Sequence, residues 1–268
     1  MKKLLLLLVL VGATASAQWT KSKGEGYYKL GYWTMNATGL YEADGSINPV
    51  INSSIKTNVT SVYFDQGIAK GVSVKGYIPY INTFNTSYTE FNNSGIGDMI
   101  IGVEVKVSKK HPISLSLELG LPTGDDGVDN GGFATGDGEF NQQIGINYGL
   151  GYKLFKHPFY GKASIKYNNR TNGFSDDGTL ALETGTWVVK DKFLLLARYR
   201  QLESTFNGNV DSNAGNLFAN NAEYKAYGFE AIYKLNKHWG LSYNYTSAFD
   251  GRNIWASPSN SGGISYQF

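Results

Sequence analysis

The chain has 268 residues, no cysteine, and 24 Lys+Arg against 22 Asp+Glu. Without a thiol there are no disulfides, no thiolate metal sites and no lipid-modified N-terminal cysteine, and the near-balanced charge gives no footprint for nucleic acid. Tyr (19), Phe (14) and Gly (33) are abundant, yet no apolar run reaches the ~20 residues that a membrane-crossing helix needs.

The N-terminus carries Lys2 and Lys3, then an apolar run from Leu4 to Val11, then Ala15-Ser16-Ala17. A basic start, a short apolar core and small residues before a cut predict a cleavable signal peptide over 1–17 and a mature domain over 18–268. Removing Lys2 and Lys3 leaves 22 basic and 22 acidic residues.

Downstream, side chains alternate with period 2, which marks strands with two unlike faces. Strands are predicted at 25–39, 55–68, 71–82, 96–107, 113–122, 138–154, 159–170, 180–189, 193–206, 222–235, 239–249 and 261–268. In 96–107, Met99, Ile101, Val103 and Val105 oppose Asp98, Glu104 and Lys106. In 113–122, Ile113, Leu115, Leu117 and Leu119 oppose Ser114, Ser116 and Glu118. The run from Phe140 to Leu154 sets Ile144, Ile146, Tyr148, Leu150 and Tyr152 against Asn141, Gln143, Gly145 and Asn147. Trp239, Leu241, Tyr243, Tyr245 and Phe249 likewise oppose Gly240, Ser242, Asn244 and Thr246. The faces are hardest to separate in the strand before Gly67 and in the one around Thr184.

Connections alternate in length. Short turns fall near Ala69-Lys70, Ser108 to Pro112, Phe155 to Pro158, Lys190 to Lys192 and Asn236 to His238. Long connections fall at about 40–54, 83–95, 123–137, 171–179, 207–221 and 250–260. Long apolar-aromatic faces, an even strand count and short turns alternating with long loops predict an all-β, antiparallel up-and-down transmembrane β-barrel of about 12 strands, in a bacterial outer membrane with its short turns periplasmic. The end of the chain, Ser261-x-Gly263-x-x-Tyr266-x-Phe268, is similar to the C-terminal signal that barrel-assembly machinery recognises. Besides that machinery, the partners implied are outer-membrane lipid or lipopolysaccharide and a small-molecule solute.

Three segments carry a family resemblance: Tyr63 to Val74 running on to Ile78-Pro79-Tyr80, then Gly95-Ile96-Gly97-Asp98, then Leu121-Pro122-Thr123-Gly124-Asp125. In this order they resemble the outer-membrane transporter family labelled "meta-pathway of phenol degradation". The resemblance runs from about Tyr63 to Phe268. It implies a barrel that passes small, often aromatic or hydrophobic, molecules, and it carries over no binding residues.

Candidate chemistry is sparse. His111, His157 and His238 lie in short turns, away from the outer rim where known outer-membrane phospholipases, acyltransferases and proteases keep theirs; an enzyme is the least favoured reading, and no catalytic, cofactor or metal residue is assigned. The stretch Asp125 to Gly131 offers oxygen ligands suited to calcium, but without EF-hand spacing it reads as a solvated outer loop. The inward faces carry Lys75, Asp98, Glu104, Lys106, Glu118, Lys162, Lys166, Arg170, Glu183, Arg198, Arg200 and Glu230. These are either the charged wall of a selective pore or a salt-bridged filling that holds the barrel's shape. Lys162, Lys166, Arg170, Arg198 and Arg200, with Glu183 between them, form the candidate lumen patch. The first function expected is a passive channel or uptake barrel for small molecules. The alternative is a structural or surface-interaction barrel with a plugged lumen.

Overall fold

The computed structural model describes residues 20–37, 39–49, 55–85, 92–126, 133–210 and 218–268. The signal-peptide segment 1–17 and most of the acidic stretch, 127–131, lie outside them. Lipid offers no hydrogen bonds to a backbone, so strands can cross it only as a closed ring, and the chain forms one. From β1 (Gly26–Ala37) the ring runs through β4 (Ile55–Ala69), β5 (Val72–Asn85), β7 (Met99–Lys106), β8 (Ile113–Leu121), β9 (Asn141–Leu154) and β10 (His157–Asn169). It continues through β11 (Asp177–Val189), β12 (Phe193–Ser204), β13 (Glu223–Lys234), β14 (Trp239–Arg252) and β16 (Ser259–Gln267). Every pairing is antiparallel. Closure comes from β1 against β16, in register from Tyr27↔Gln267 to Met35↔Ser259. β6 (Asn92–Ile96) and β7 both pair with β5 and are separated only by Gly97-Asp98, so they form one crossing in two pieces and the barrel has twelve crossings.

The alternation read from the sequence holds around the ring. Leu30, Tyr32, Ile101, Ile146, Ile165, Leu195, Phe229 and Tyr243 are exposed on the outer surface, while Ser73, Glu104, Ser114, Asn147, Ser164 and Glu230 are buried inside. Both ambiguous strands have a physical reason. The inner face of β4 carries Val59 and Tyr63, as apolar as its outer Val62 and Phe64. In β11 a bulge between Trp187 and Val189 turns Val188 and Val189 outward together.

Two expected loops are instead partly strand. β2 (Gly39–Tyr41), β3 (Ile47–Pro49) and β15 (Ile254–Trp255) form a small sheet in order β15-β2-β3, built from the connections at 40–54 and 250–260. It covers a cluster of Met35, Ala37 and Trp255 with Trp33, Leu40 and Ile55 packed against it. β5 and β6 also extend as a hairpin arm into 83–95. At the other end the turns are tight. Phe155 (φ 49°) and Lys156 (φ 67°) alone connect β9 to β10. This is the left-handed pair that a two-residue hairpin needs and that Asn-Gly usually supplies.

The C-terminal aromatics face outward at the short-turn end, where β16 meets β1. Tyr266 packs on Trp239 (ring centroids 4.9 Å) and His238 (5.7 Å), and Phe268 stacks on Tyr28 (5.9 Å). The Phe268 backbone N–H donates to Gly26 O (3.1 Å) and its carbonyl accepts from Gly26 N (3.0 Å), so the last residue closes the final seam. Deleting Phe268 is expected to lower the amount of heat-modifiable, membrane-inserted protein on unboiled gels. Unchanged levels would show that the terminal residue is dispensable for assembly.

Candidate functional site

The interior is organised by pairs of unlike charge that reach across strands. Arg198 on β12 donates through Nε to Glu183 on β11 (2.6 Å) and through a terminal nitrogen to Glu230 on β13 (2.6 Å). Glu230 also accepts from Lys29 on β1 (3.2 Å), and Tyr160 Oη donates to Glu183 (3.0 Å). On the far wall Lys75 pairs with Glu104, which also accepts from Ser114, and lies 3.9 Å from Asp65. Lys166 on β10 reaches Glu118 on β8 (2.6 Å) and Gln143 on β9 (3.1 Å).

Glycine stands opposite four of the inward cations. The residue directly opposite each of these cations on a neighbouring strand is Gly102 for Lys75, Gly149 for Lys162, Gly145 for Lys166 and Gly228 for Arg198. A Cβ on Gly145 would stand 2.8 Å from the Lys166 stem, so any larger residue there would push the lysine off Glu118.

The candidate patch is therefore corrected. Its cations are interleaved with acids and do not form a block of like charge. Arg198 and Lys166 are paired as above, and Lys162 stands directly across from Glu183 in register. Arg170, just past β10, pairs with Asp137 (3.0 Å) and lies over the Phe174 ring (4.4 Å). Arg200 differs: opposite Ala181 and Ala226, it projects into the lumen and makes no hydrogen bond or ion pair with another described residue. Sequence reading missed Lys29, Asp65 and Asp137, and the tyrosines Tyr27, Tyr63, Tyr77 and Tyr160. The inward position of Lys29 and Tyr27 follows from the alternation of Tyr28, Leu30 and Tyr32 and was there to be read.

Two of the cavities in the lumen lie one below the other. The outer one is about 800 Å³ and has unlike sides. Trp33, Val59, Tyr77, Pro79, Ile81 and Ile100 give an apolar wall, and Glu118, Asn141, Gln143, Asn168 and Arg200 a polar one. The inner cavity, about 430 Å³, lies below it, and Lys29 and Tyr63 line both. At the short-turn end the N-terminal residues pack into the mouth. Thr20 is buried, the Lys21 N–H donates to Ser73 Oγ (2.7 Å), and a Cβ on Gly67 would fall 2.0 Å from Ser22 O.

The connection at 123–137, expected as a solvated loop, is tied into the outer mouth over its described part. Asp98 accepts from the backbone N–H of Gly124 (2.9 Å) and of Asp137 (2.7 Å), and Thr135, fully buried, donates to Ile96 O (3.1 Å). Gly136 is required because a Cβ there would lie 2.2 Å from Asp98 Oδ1. On the adjoining outer loop, Asp176 accepts from Tyr167 Oη (2.6 Å), Arg170 N (2.9 Å) and Asn207 Nδ2 (2.8 Å). These bonds, that from Tyr167 first, hold its carboxyl below the usual aspartate range.

No family model and no curated protein matches the sequence. Solved structures do match the fold. The COG4313 outer membrane channel from Pseudomonas putida F1 superposes with a TM-score of 0.68 over 96% of this chain and 100% of its own, at 10% identity. The translocator domain of the autotransporter NalP from Neisseria meningitidis superposes with a TM-score of 0.51 over 91% of this chain and 89% of its own, at 12% identity. The chain thus has the fold of a bacterial outer-membrane β-barrel.

Two outcomes follow from this geometry. Glu230→Ala leaves Arg198 and Lys29 without their shared acid and should cost on the order of 1–3 kcal/mol, the range for hydrogen bonds to charged groups. A double-mutant cycle with Arg198→Ala, read by urea unfolding on heat-modifiable mobility, should return a favourable coupling; a coupling of zero would remove the pair from the stabilising network. Asp176, with its folded value depressed, contributes stability that is complete above the ordinary aspartate value near ~3.9 and disappears as pH falls through the folded value. Protection of amides in 170–176 against exchange should hold above about pH 5 and drop as the solution passes below ~3.9. Asp176→Asn should flatten that dependence.

Proposed function

We propose that the chain is a passive outer-membrane channel for uptake of small molecules, including hydrophobic and aromatic ones, and that it belongs to the transporter family its sequence resembles. The observation that carries this reading is the divided outer cavity. In a lumen crossed by ion pairs, the wall of Trp33, Val59, Tyr77, Pro79, Ile81 and Ile100 gives an apolar solute a surface to lie on. Pockets that take small molecules combine such a surface with a few placed polar groups. The facing amides and Arg200 supply those groups, and the second cavity continues the path inward. Nothing in this path requires an energy source or a chemical step.

A second reading, the plugged structural barrel, is favoured by one observation: the N-terminal residues seat against Ser73 and Gly67 in the inner mouth. The mature start at Gln18, the assembly role of Ser261, Gly263, Tyr266 and Phe268, and contact with lipid and assembly machinery complete the proposal.

Reconstituted protein should show a small, steady conductance in planar bilayers, and liposomes carrying it should admit phenol-sized aromatic solutes faster than sugars of similar mass. No conductance and no solute entry would favour the plugged reading. The two lumen arginines should separate. Arg200→Glu should move the reversal potential in a salt gradient towards cations with little change in unfolding, because the guanidinium makes no ion pair or hydrogen bond with another described residue. Arg198→Glu should instead lower the unfolding midpoint, because it faces Glu183 and Glu230.

A further inference from the structure

The net charge near zero conceals a separation of charge between the two ends of the barrel. The five short turns carry seven lysines: Lys70 after β4, Lys109 and Lys110 after β7, Lys156 after β9, Lys190 and Lys192 after β11, and Lys237 after β13. Their only acid is Asp191, held between two of those lysines. All seven lysines are exposed, and none forms an ion pair with a described residue. The opposite end is the reverse. The long connections at 38–54, 86–91, 122–140, 170–176, 205–222 and 253–258 together hold ten acids and a single base, Arg170.

The turns share a second feature. Each leaves the barrel through an aliphatic side chain on the outer surface, followed within three residues by lysine. The five are Ile68, Val107, Leu154, Val189 and Leu235, each between 48% and 54% exposed. Lys192 lies over the ring of Tyr233, itself exposed on the outer surface, at 5.6 Å. An apolar residue at the last level of hydrocarbon with a lysine just beyond places ammonium groups where lipid headgroups begin.

We propose that these lysines form a binding ring for the phosphates of anionic phospholipids in the periplasmic leaflet, which thereby become the preferred lipid at this end of the barrel. The distribution of the ring decides the class of partner. It recurs at all five turns and so surrounds the barrel, as lipid does; a protein partner would meet a patch on one side. Basic residues beside a membrane surface attract anionic lipid additively, and the attraction weakens within a Debye length as salt is added. The acidic outer end offers no such attraction, so the preference is one-sided. The proposal does not depend on what crosses the lumen.

The test uses the full mature chain reconstituted in phosphatidylcholine, with trace spin-labelled phosphatidylglycerol or phosphatidylcholine reporting the lipid held at the barrel surface. Phosphatidylglycerol should associate about 2–5-fold more strongly than phosphatidylcholine, and the excess should shrink on going from 0.02 to 0.5 M salt, as screened charge requires. Replacing the seven lysines with glutamine should bring the ratio close to one, whereas Lys56→Gln with Lys225→Gln at the outer end should leave it unchanged. Sodium phosphate and sodium chloride at equal ionic strength should lower the ratio equally; extra competition by phosphate would mean a site for the free anion and would overturn the headgroup assignment. Equal association of the two lipids with the native chain, or an unchanged ratio in the seven-fold variant, would also overturn it. If the seven-fold variant fails to insert, Lys109→Gln with Lys110→Gln and Lys190→Gln with Lys192→Gln, measured separately, should each remove part of the excess. No loss in either pair then overturns the proposal.

Discussion

The structure depends on one constraint: charge inside a narrow closed barrel has to be met by counter-charge within a side chain's reach. Closure is imposed by lipid, which leaves no backbone group free to go unpaired. Twelve crossings then enclose a lumen too small to hydrate every ion fully, and burying an ion without a partner costs several kcal/mol. The chain answers with long cations set opposite glycine. Lys166 packs its stem over Gly145 and arrives at Glu118 on the strand beyond, while Lys75 and Arg198, also opposite glycine, meet acids on the strands beside them. Because a one-residue slip exchanges faces, it would turn Lys166 or Arg198 towards hydrocarbon, at about 2–4 kcal/mol near the bilayer midplane. The ion pairs therefore help to fix register as well as fill space.

The same filling shapes the path. Paired cations stand on β1, β5, β10 and β12, and on the outer side of the lumen β1, β4, β5 and β7 present Trp33, Val59, Pro79, Ile81 and Ile100. Below that apolar wall, Lys29 and Tyr63 line both cavities. Arg200 stands on the other side of the outer cavity without a direct ion pair among the described residues, whereas Arg198, two residues away on the same face, is held by two acids. Adjacent residues of one type, on one strand and one face, thus have different work, because what stands opposite them differs.

Strands, faces and turn ends were legible because alternation is a local property of the chain. It failed locally where local contrast failed: in β4, whose inner Val59 and Tyr63 match its outer Val62 and Phe64, and in β11, where a bulge breaks the period. Register is not local, and everything that depends on it was hidden. The cations of the candidate patch looked alike when read strand by strand. Only the pairings Lys162↔Glu183 and Glu183↔Arg198 show that acids stand between them. The small sheet of β2, β3 and β15 was illegible for a related reason. Its strands are two or three residues long, too short for a period to be seen, and they are joined across more than 200 positions of sequence.

The segments that carried the family resemblance meet at one place. Pro79 O accepts from Gly97 N (2.9 Å), Thr123 Oγ1 donates to Gly97 O (2.8 Å) and accepts from Met99 N (3.0 Å), and Asp98 holds Gly124 and Asp137. A Cβ on Gly97 would approach within 3.0 Å of Pro79 and 2.8 Å of Ile81. The glycines, the aspartate and the threonine are thus demanded by a junction in which an interrupted crossing, β6 to β7, receives a loop folded back into the mouth. Their chemistry is that of packing and backbone capping. A short motif of this kind reports how the barrel is built at its break. The apolar wall and Arg200 lie elsewhere in the lumen, where the motif places no residue except Pro79. Two barrels could share the junction completely and differ in everything they admit.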